Sequence, residues 1–166
     1  MHRKLHEGAV ALAAALRDKG LTLACAESLS GGLAMSKLVE IPGISPLLTG
    51  GVVCYQDSVK RDLLKIDLNK LPGGSVVSED CALRMLKGLL TLIPSDAALS
   101  LTGNAGPEAA GGQAVGRVYI GYRLGQRYRV QECDFQGDRQ SIREMAVLEA
   151  YRGLIEMISK SPIGGF

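Results

Sequence analysis

Two serines and two glycines lie together where an apolar run gives way to a helical pattern. They are Ser28, Ser30, Gly31 and Gly32 of the segment AESLSGG, residues 26–32. Main-chain N–H groups at such a strand-to-helix junction can hold an anion or a developing oxyanion. The alternative is structural, with Ser30 capping the helix and the glycines permitting the turn. Capping leaves Ser28 unexplained, so both interpretations stay open.

A tyrosine and a lysine follow the next apolar run. Tyr55 ends the run GVVCY, residues 51–55, and Lys60 lies about one turn into the helical pattern that follows. A partly desolvated lysine can act as a base and take the proton of a serine hydroxyl. Most lysines are solvated instead, and Arg61 beside Lys60 fits an exposed helix face equally well.

Two further segments contain residue types that suit a phosphate. Thr102 and Gly103 belong to the loop LTGNAGP, which follows a third apolar run but lacks the lysine and the spacing of a P-loop. Arg139 and Arg143 are four residues apart at a helix start, where two guanidinium groups on one face can clamp a phosphate. The alternatives are a plain loop and a solvated arginine face, and spacing alone does not decide between them.

The two histidines, His2 and His6, lie in the N-terminal helical pattern, far along the sequence from every glycine-rich loop. A Ser-His-Asp triad therefore has no obvious histidine. If a serine is activated in this protein, a lysine or a tyrosine must do it. No cluster of metal-ligand residues occurs at metal-binding spacing, so we expect no metal and no cofactor.

The composition predicts one globular domain. The chain has 166 residues, 46% hydrophobic and 22% charged, which excludes a disordered segment. We expect a single domain over residues 1–160 and a loose tail over 161–166. A net charge of +2 and 4% aromatic residues argue against a nucleic-acid-binding protein. The four cysteines form no CxxC pair, which is typical of buried reduced thiols in a cytoplasmic protein.

The N-terminus superficially resembles a signal peptide. Basic residues precede an apolar stretch, but Glu7 interrupts the approach and no small-residue cleavage site follows. No run of 18 uncharged apolar residues occurs, so no membrane span is expected. We interpret the segment as a helix whose buried stripe comprises Leu5, Ala9, Leu12, Ala13 and Leu16.

Extended and helical patterns alternate along the rest of the chain. Strands are predicted at 21–26, at 51–55 as a buried strand, and at 97–102. Helices are predicted at 33–39, from about Asp57, after the N-cap Ser78, and at the C-terminus. In the helix from Asp57 we expect Val59, Leu63 and Ile66 to face the core.

A hairpin is predicted before the last helix. Residues 117–124 alternate between apolar and polar, and Gly125-Gln126 is a two-residue turn leading into 127–135. The alternation of inward-facing and outward-facing residues shifts by one position between Val130 and Cys133, which predicts a β-bulge there. Strand–helix alternation with one antiparallel hairpin indicates an α/β fold with a mixed sheet and helices on both faces.

Several segments occur together in the order of one protein family. They are AESLSGG, GGVVCYQDSVK, LTGNAGP, the glycine-rich stretch to AVGRVYIGY, and FQGDR. By these segments the chain, from about Leu5 to Ile158, resembles the CinA C-terminal domain, of the PncC type of nicotinamide mononucleotide amidohydrolase. From the chain length we expect the stand-alone form, without the N-terminal domain of longer CinA proteins.

The resemblance implies a three-layer α/β/α sandwich and a cytoplasmic enzyme that converts nicotinamide mononucleotide to nicotinate mononucleotide and ammonia. It also implies a homo-oligomer, a dimer first, with no nucleic acid, membrane or cofactor as partner. The family's motifs give the nucleophile as Ser28, the base as Lys60, the accompanying tyrosine as Tyr55, the second hydroxyl as Ser30, the substrate-loop pair as Thr102 and Gly103, and the GDR arginine as Arg139.

The combined hypothesis is a serine acyl-enzyme. Lys60 takes the Ser28 proton, N–H groups of residues 30–32 or Gly103 hold the oxyanion, and Arg139 with Arg143 grips the 5′-phosphate. A third option is an amide hydrolase that uses the same serine and lysine on a substrate other than a nucleotide.

The chain departs from the family pattern at several positions. Leu29 stands for a usual cysteine, Gln56-Asp57 for Ser-Asn, Asn104 for an apolar residue and Ala114 for a proline. A carboxylate at Asp57 would favour the charged form of Lys60 and weaken it as a base. The departures at Asp57 and Asn104 support an alternative function, a non-catalytic nucleotide-binding or interaction module that keeps the pocket.

Overall fold

The computed structural model describes residues 2–109 and 112–161, with the backbone alone for His2. Helices and strands alternate much as the sequence predicts. The helices are α1 (His2–Lys19), α2 (Leu33–Val39), α3 (Asp57–Leu64), α4 (Glu79–Leu92) and α5 (Arg139–Ser159). The strands are β1 (Leu23–Glu27), β2 (Leu48–Val53), β3 (Ala97–Gly103), β4 (Arg117–Leu124) and β5 (Arg127–Asp134).

One mixed sheet of five strands, in the order β2-β1-β3-β4-β5, organises the molecule. β1 pairs in parallel with both β2 and β3, whereas β4 is antiparallel to β3 and to β5. Parallel pairing brings the carboxyl ends of β1, β2 and β3 to the same edge of the sheet, the usual place for ligands in open α/β sheets.

Helices cover both faces of this sheet. On one face α1, α2 and α5 bury Leu12, Leu38 and Tyr151 in a core with Leu99 and Ile120 of the sheet. On the other face α3 and α4 pack side chains such as Leu64 and Met85 against the small residues Ala24 and Ala98. The expected three-layer α/β/α sandwich is therefore confirmed, and each face buries the apolar stripe of its helices.

Several local predictions are confirmed. All five residues of the predicted stripe in α1 are fully buried. The Oγ of Ser78 accepts the N–H of Cys81 at 3.2 Å and caps α4. Leu124 pairs with Arg127 across the two-residue turn of the β4–β5 hairpin. These features depend on neighbours in sequence, which is why local patterns identify them.

Three local predictions are wrong. β2 is an edge strand with Val53 half exposed, because an apolar run does not reveal whether a strand has one partner or two. In α3 the prediction fails at Leu63, which is exposed because Lys60 and Leu64 take the buried positions, whereas Val59 and Ile66 pack against the core as predicted. No bulge occurs in β5, since its register with β4 is continuous.

The end of α5 is better anchored than predicted. Ser161, the first residue of the predicted loose tail, is buried, and its Oγ donates to the carbonyl of Met157 at 2.8 Å and accepts from Arg127. The rest of the predicted tail, 162–166, lies outside the described residues.

Within the described ranges, no helix combines the length and apolar character needed to cross a membrane. Cys25, Cys54 and Cys81 are buried free thiols, as predicted, whereas Cys133 is a free thiol that is only partly buried.

The approach of α3 to α4 depends on Gly88. A Cβ at Gly88 would lie 2.3 Å from the carbonyl oxygen of Leu64, a backbone atom that cannot rotate away. We expect Gly88→Ala to lower the free energy of unfolding by about 1–3 kcal/mol, because the clash outweighs the better helix propensity of alanine. Urea unfolding measures this change.

Gly8→Ala is the matched control, since Gly8 is also a helical glycine with a close neighbour. That neighbour is Cδ1 of Leu148 at 2.8 Å, the far end of a flexible side chain. The Gly8→Ala protein should stay within about 1 kcal/mol of the original. Equal stability of the two variants would contradict the packing described for α3 and α4.

Candidate active site

A cavity of about 410 Å³ opens at the sheet edge where β1, β2 and β3 end. Its volume lies in the range of small-molecule binding sites. The walls come from the end of β3, from the loops after the three strands, from α3, from Val76 and Val77 before α4, and from the first residue of α5. The cavity brings together these residues singled out in the sequence: Ser28, Tyr55, Lys60, Thr102, Gly103 and Arg139.

Ser28 is held firmly at the end of β1. Its N–H donates to the carbonyl of Leu101 at 2.9 Å, and its own carbonyl accepts the N–H of Gly31 at 3.1 Å. The side chain is largely buried and lines the cavity. The main chain of this serine is therefore fixed on both sides, which a nucleophile requires for accurate positioning.

Sequence reasoning missed Glu27, the residue before Ser28. Glu27 is only 1% exposed, and its carboxylate accepts the N–H groups of Gly32 and Ala34 at 3.0 Å and of Met35 at 2.9 Å. The carboxylate thus caps α2, where a negative charge is favourable. The available signal was an acidic residue that closes an apolar strand immediately before a glycine-rich turn.

This cap corrects the expectation for Gly31 and Gly32. The N–H of Gly31 donates to Ser28 and that of Gly32 to Glu27, so neither N–H is left for an oxyanion or a phosphate. The prediction that Ser30 caps the helix is also wrong, because the carboxylate of Glu27 caps α2. The Oγ of Ser30 is fully buried and has no hydrogen-bond partner among the described residues.

Lys60 is buried at the bottom of the site, with 1% of its surface exposed. Its Nζ donates to the carbonyl of Tyr55 at 3.2 Å and to Oδ1 of Asp57 at 3.4 Å. The solvated-lysine alternative is therefore wrong. Lys60 and Ser28 line the same cavity, and no hydrogen bond joins their side chains in this structure. Catalytic hydrogen bonds are often long before a substrate is bound.

Two thiols lie within electrostatic reach of Lys60. Burial raises the pKa of Cys81 to about 12 and also raises the pKa of Cys54, although the charge of Lys60 acts in the opposite direction in both cases. Both groups are therefore neutral thiols near pH 7 and poor nucleophiles. Neither thiol lines the cavity, so neither competes with Ser28 as its nucleophile candidate.

Arg139 joins two walls of the cavity. Its Nη2 donates to the Tyr55 hydroxyl at 2.6 Å, and its Nη1 donates to the carbonyl of Gly106. Asp138 caps α5 by accepting the N–H of Ser141 at 2.8 Å, and this hydrogen bond holds the pKa of the Asp138 carboxyl below its usual value. The cap fixes the start of α5 and with it the position of Arg139.

Three other predicted residues have partners within the protein. The hydroxyl of Thr102 donates to the carbonyl of Val76 at 2.7 Å, so it holds one cavity wall. Gly103 lies against β4, where a Cβ would be 2.7 Å from the carbonyl of Arg117. Arg143 does not line the cavity, and its Nη2 donates to the carbonyl of Ser30 at 2.8 Å. Arg143 therefore supports the loop after Ser28, instead of forming the phosphate clamp that we predicted.

Among the described residues, no group of three His, Cys, Asp or Glu side chains is arranged to hold a metal ion.

We expect Glu27→Gln to destabilise the protein. A glutamine amide offers one acceptor oxygen to three N–H groups and turns an N–H₂ group toward one of them. The loss should be at least about 2 kcal/mol in the free energy of unfolding, as for hydrogen bonds to a buried charged group. Urea unfolding at neutral pH measures it.

The control is Glu79→Gln, which changes an exposed carboxylate in the first turn of α4. A change there should stay below about 1 kcal/mol, since the charge contributes only through the helix dipole. If the two variants lose the same stability, the capping role of Glu27 is refuted.

Comparison with known proteins agrees with this architecture. The CinA C-terminal domain profile matches residues 6–158. A competence-damage inducible protein of Bacillus pumilus is 40% identical over 147 residues, which is 89% of this chain and 35% of that protein. One from Bacillus subtilis is 40% identical over 133 residues, 80% of this chain and 32% of that protein. The chain thus spans about a third of the curated relatives it matches.

Solved structures give the same result. A CinA superfamily protein from Klebsiella pneumoniae superposes with a TM-score of 0.90 at 32% identity, covering 95% of this chain and 99% of that one. The competence/damage inducible protein CihA from Agrobacterium tumefaciens gives 0.86 at 29% identity, with 95% and 96% covered. Because the family profile matches nearly the whole chain and the fold superposes on a solved member at 32% identity, the chain belongs to the CinA C-terminal domain family.

Proposed function

We propose that this protein hydrolyses the amide of nicotinamide mononucleotide to give nicotinate mononucleotide and ammonia. The observation that carries the proposal is the single cavity shared by a serine at a strand end, a buried lysine and an arginine at a helix start. This set can supply a nucleophile, a base and a group that binds the phosphate, the three that amide hydrolysis of a nucleotide requires.

In the proposed reaction the Oγ of Ser28 attacks the amide carbon while its proton passes to the uncharged amine of Lys60. The tetrahedral intermediate collapses when Lys60 passes this proton to the amide nitrogen, which leaves as ammonia. Water then attacks the acyl-enzyme: its hydroxyl completes the carboxylic acid of nicotinate mononucleotide, and its other proton passes through Lys60 to Ser28. Burial of Lys60 excludes competing solvent from the proton transfer.

The oxyanion would be held by main-chain N–H groups next to Ser28. The N–H groups of Gly31 and Gly32 are occupied, whereas those of Leu29 and Ser30 have no partner within the described residues, and Leu29 lines the cavity. One such donor is typically worth about 3 kcal/mol of transition-state stabilisation.

Arg139 would bind the 5′-phosphate. Its guanidinium is at the exposed rim of the cavity and already has two oxygen acceptors on the protein. A guanidinium has five N–H donors, so donors remain for a phosphate.

We also propose that the protein is a homo-oligomer, which size-exclusion chromatography with light scattering would test.

A second candidate function is a nucleotide-binding module without turnover. The contact between Asp57 and Lys60 favours it, because a carboxylate at 3.4 Å stabilises an ammonium that cannot accept a proton. Nicotinamide mononucleotide that raises the melting temperature without releasing ammonia would select this candidate over the amidase.

We expect Ser28→Ala and Lys60→Met to reduce ammonia release from nicotinamide mononucleotide by at least about 10³-fold, since each removes a group that forms or breaks bonds. A coupled ammonia assay measures the rate. Both side chains are replaced by smaller or isosteric ones, so the fold should be retained, and melting temperatures check this.

Ser58→Ala and Lys87→Met are the matched controls, because both residues are exposed on the neighbouring helices α3 and α4. They should keep the original rate within about twofold. Undiminished ammonia release by the Ser28→Ala protein would exclude the proposed acyl-enzyme.

Asp57→Asn restores the asparagine usual in the family and should raise kcat by about fivefold or more. A unit charge at about 4 Å is worth about 1 kcal/mol even in water, and its removal favours the uncharged lysine. Asp62→Asn, which alters an exposed carboxylate of the same helix, is the control and should leave kcat unchanged. A kcat that stays constant in the Asp57→Asn protein would mean that Asp57 does not restrain Lys60.

A further inference from the structure

Asn104 directs all its side-chain hydrogen bonds into the loop that follows β3. Its Nδ2 donates to the carbonyls of Glu108 at 3.0 Å and Gln113 at 3.1 Å, and its Oδ1 accepts the N–H of Gly106 at 2.9 Å. Both N–H donors of the amide are thus used, and the residue is only 6% exposed. Asn104 therefore lines the cavity with no donor left for a ligand.

The main chain of Asn104 is itself fixed. Its N–H donates to the carbonyl of Arg117 at 2.9 Å, and its carbonyl accepts the N–H of Gly116 at 2.8 Å. These bonds continue the pairing of β3 with β4 past the end of β3. The side chain consequently starts from a rigid point of the sheet, which lets it impose a conformation on the loop.

Gly106 connects this loop to Arg139. Its N–H is held by Asn104, and its carbonyl accepts from Nη1 of Arg139. Gly106 has a φ of 79°, in the left-handed region that other residues rarely adopt. Because a glycine can adopt many other backbone conformations as well, the hydrogen bond to Asn104 Oδ1 is an important restraint on where the Gly106 carbonyl lies.

Arg139 needs such a restraint more than a buried residue does. It is exposed at the first position of α5, and a long exposed side chain samples many rotamers. Two oxygen acceptors, the Gly106 carbonyl and the Tyr55 hydroxyl, select one of them. Displacing the Gly106 carbonyl would release one of the two anchors.

We propose that Asn104 is a positioning residue that orients Arg139, through Gly106, to bind the phosphate of a nucleotide substrate. This inference rests on the proposed function, and it gives Asn104 a role in substrate affinity. No hydrogen bond links Asn104 to Ser28 or Lys60 among the described residues, so the bond-breaking steps should be little affected. The phosphate, and not the amide, is the part of the substrate that Asn104 influences.

The test is a double-mutant cycle with Asn104→Ala and Arg139→Ala, with nicotinamide mononucleotide as substrate. Each single variant should raise KM roughly tenfold, the loss expected for one oriented charged contact, while kcat changes by less than about threefold. In the Arg139→Ala background, Asn104→Ala should raise KM no further, because the residue through which it acts is absent.

Asn69→Ala is the control, since Asn69 is exposed and does not line the cavity, and it should leave KM unchanged. Multiplicative effects of Asn104→Ala and Arg139→Ala on KM would overturn the proposal, as would a loss confined to kcat. Melting temperatures identify a variant that has lost its fold, and for such a protein the Asn104→Ser variant replaces Asn104→Ala in the cycle.

A measurement without substrate separates this inference from the proposed function. If the protein neither hydrolyses nor binds nicotinamide mononucleotide, the proposed function fails. The order of the Arg139 side chain, measured by ¹⁵N relaxation at Nε, then still tests the positioning role. Asn104→Ala should lower that order parameter, whereas an unchanged value would refute the link between Asn104 and Arg139.

Discussion

The buried carboxylate of Glu27 is the interaction on which the site depends. It gathers three N–H groups from the start of α2 and so closes the turn that contains Ser28. A carboxylate withdrawn this far from water is stable only when its lone pairs are satisfied, and here the N-terminus of a helix satisfies them. Because the N–H of Gly32 donates one of these bonds, it cannot also donate to a ligand.

The sheet supplies the second constraint. Because β1 is flanked by parallel strands on both sides, the end of β3 with Thr102 and the loops carrying Ser28 and Tyr55 lie at one edge. α3 turns Lys60 into this edge, and the N-terminus of α5 brings Arg139 to its rim. An amine, a hydroxyl and a guanidinium group thus meet around one cavity although they are distant in sequence.

Membership in the CinA C-terminal domain family follows from the sequence match and the superposition of the fold. The amidase chemistry proposed for this chain rests on the residues of the cavity. Two of the chain's departures from the family pattern have different physical consequences. Asp57 changes the charge beside Lys60, whereas the polar groups of Asn104 bind the chain's own loop.

The sequence by itself determined the alternation of strands and helices, the buried stripe of α1, the cap at Ser78 and the hairpin turn, because each depends on residues a few positions apart. Its motifs also identified most residues that line the cavity. Its apolar runs could not show that β2 is an edge strand or that Lys60 occupies an inward position of α3.

Only the tertiary structure decided what each polar group of the site does. Gly31, Gly32 and Arg143 had the residue types of ligand contacts, yet their N–H groups are used within the protein. A hydrogen-bond partner can lie more than a hundred residues away, as Ser30 does from Arg143. Residue type limits the bonds that a side chain can make, and the folded chain determines which of them form, because burial leaves few polar groups without a partner.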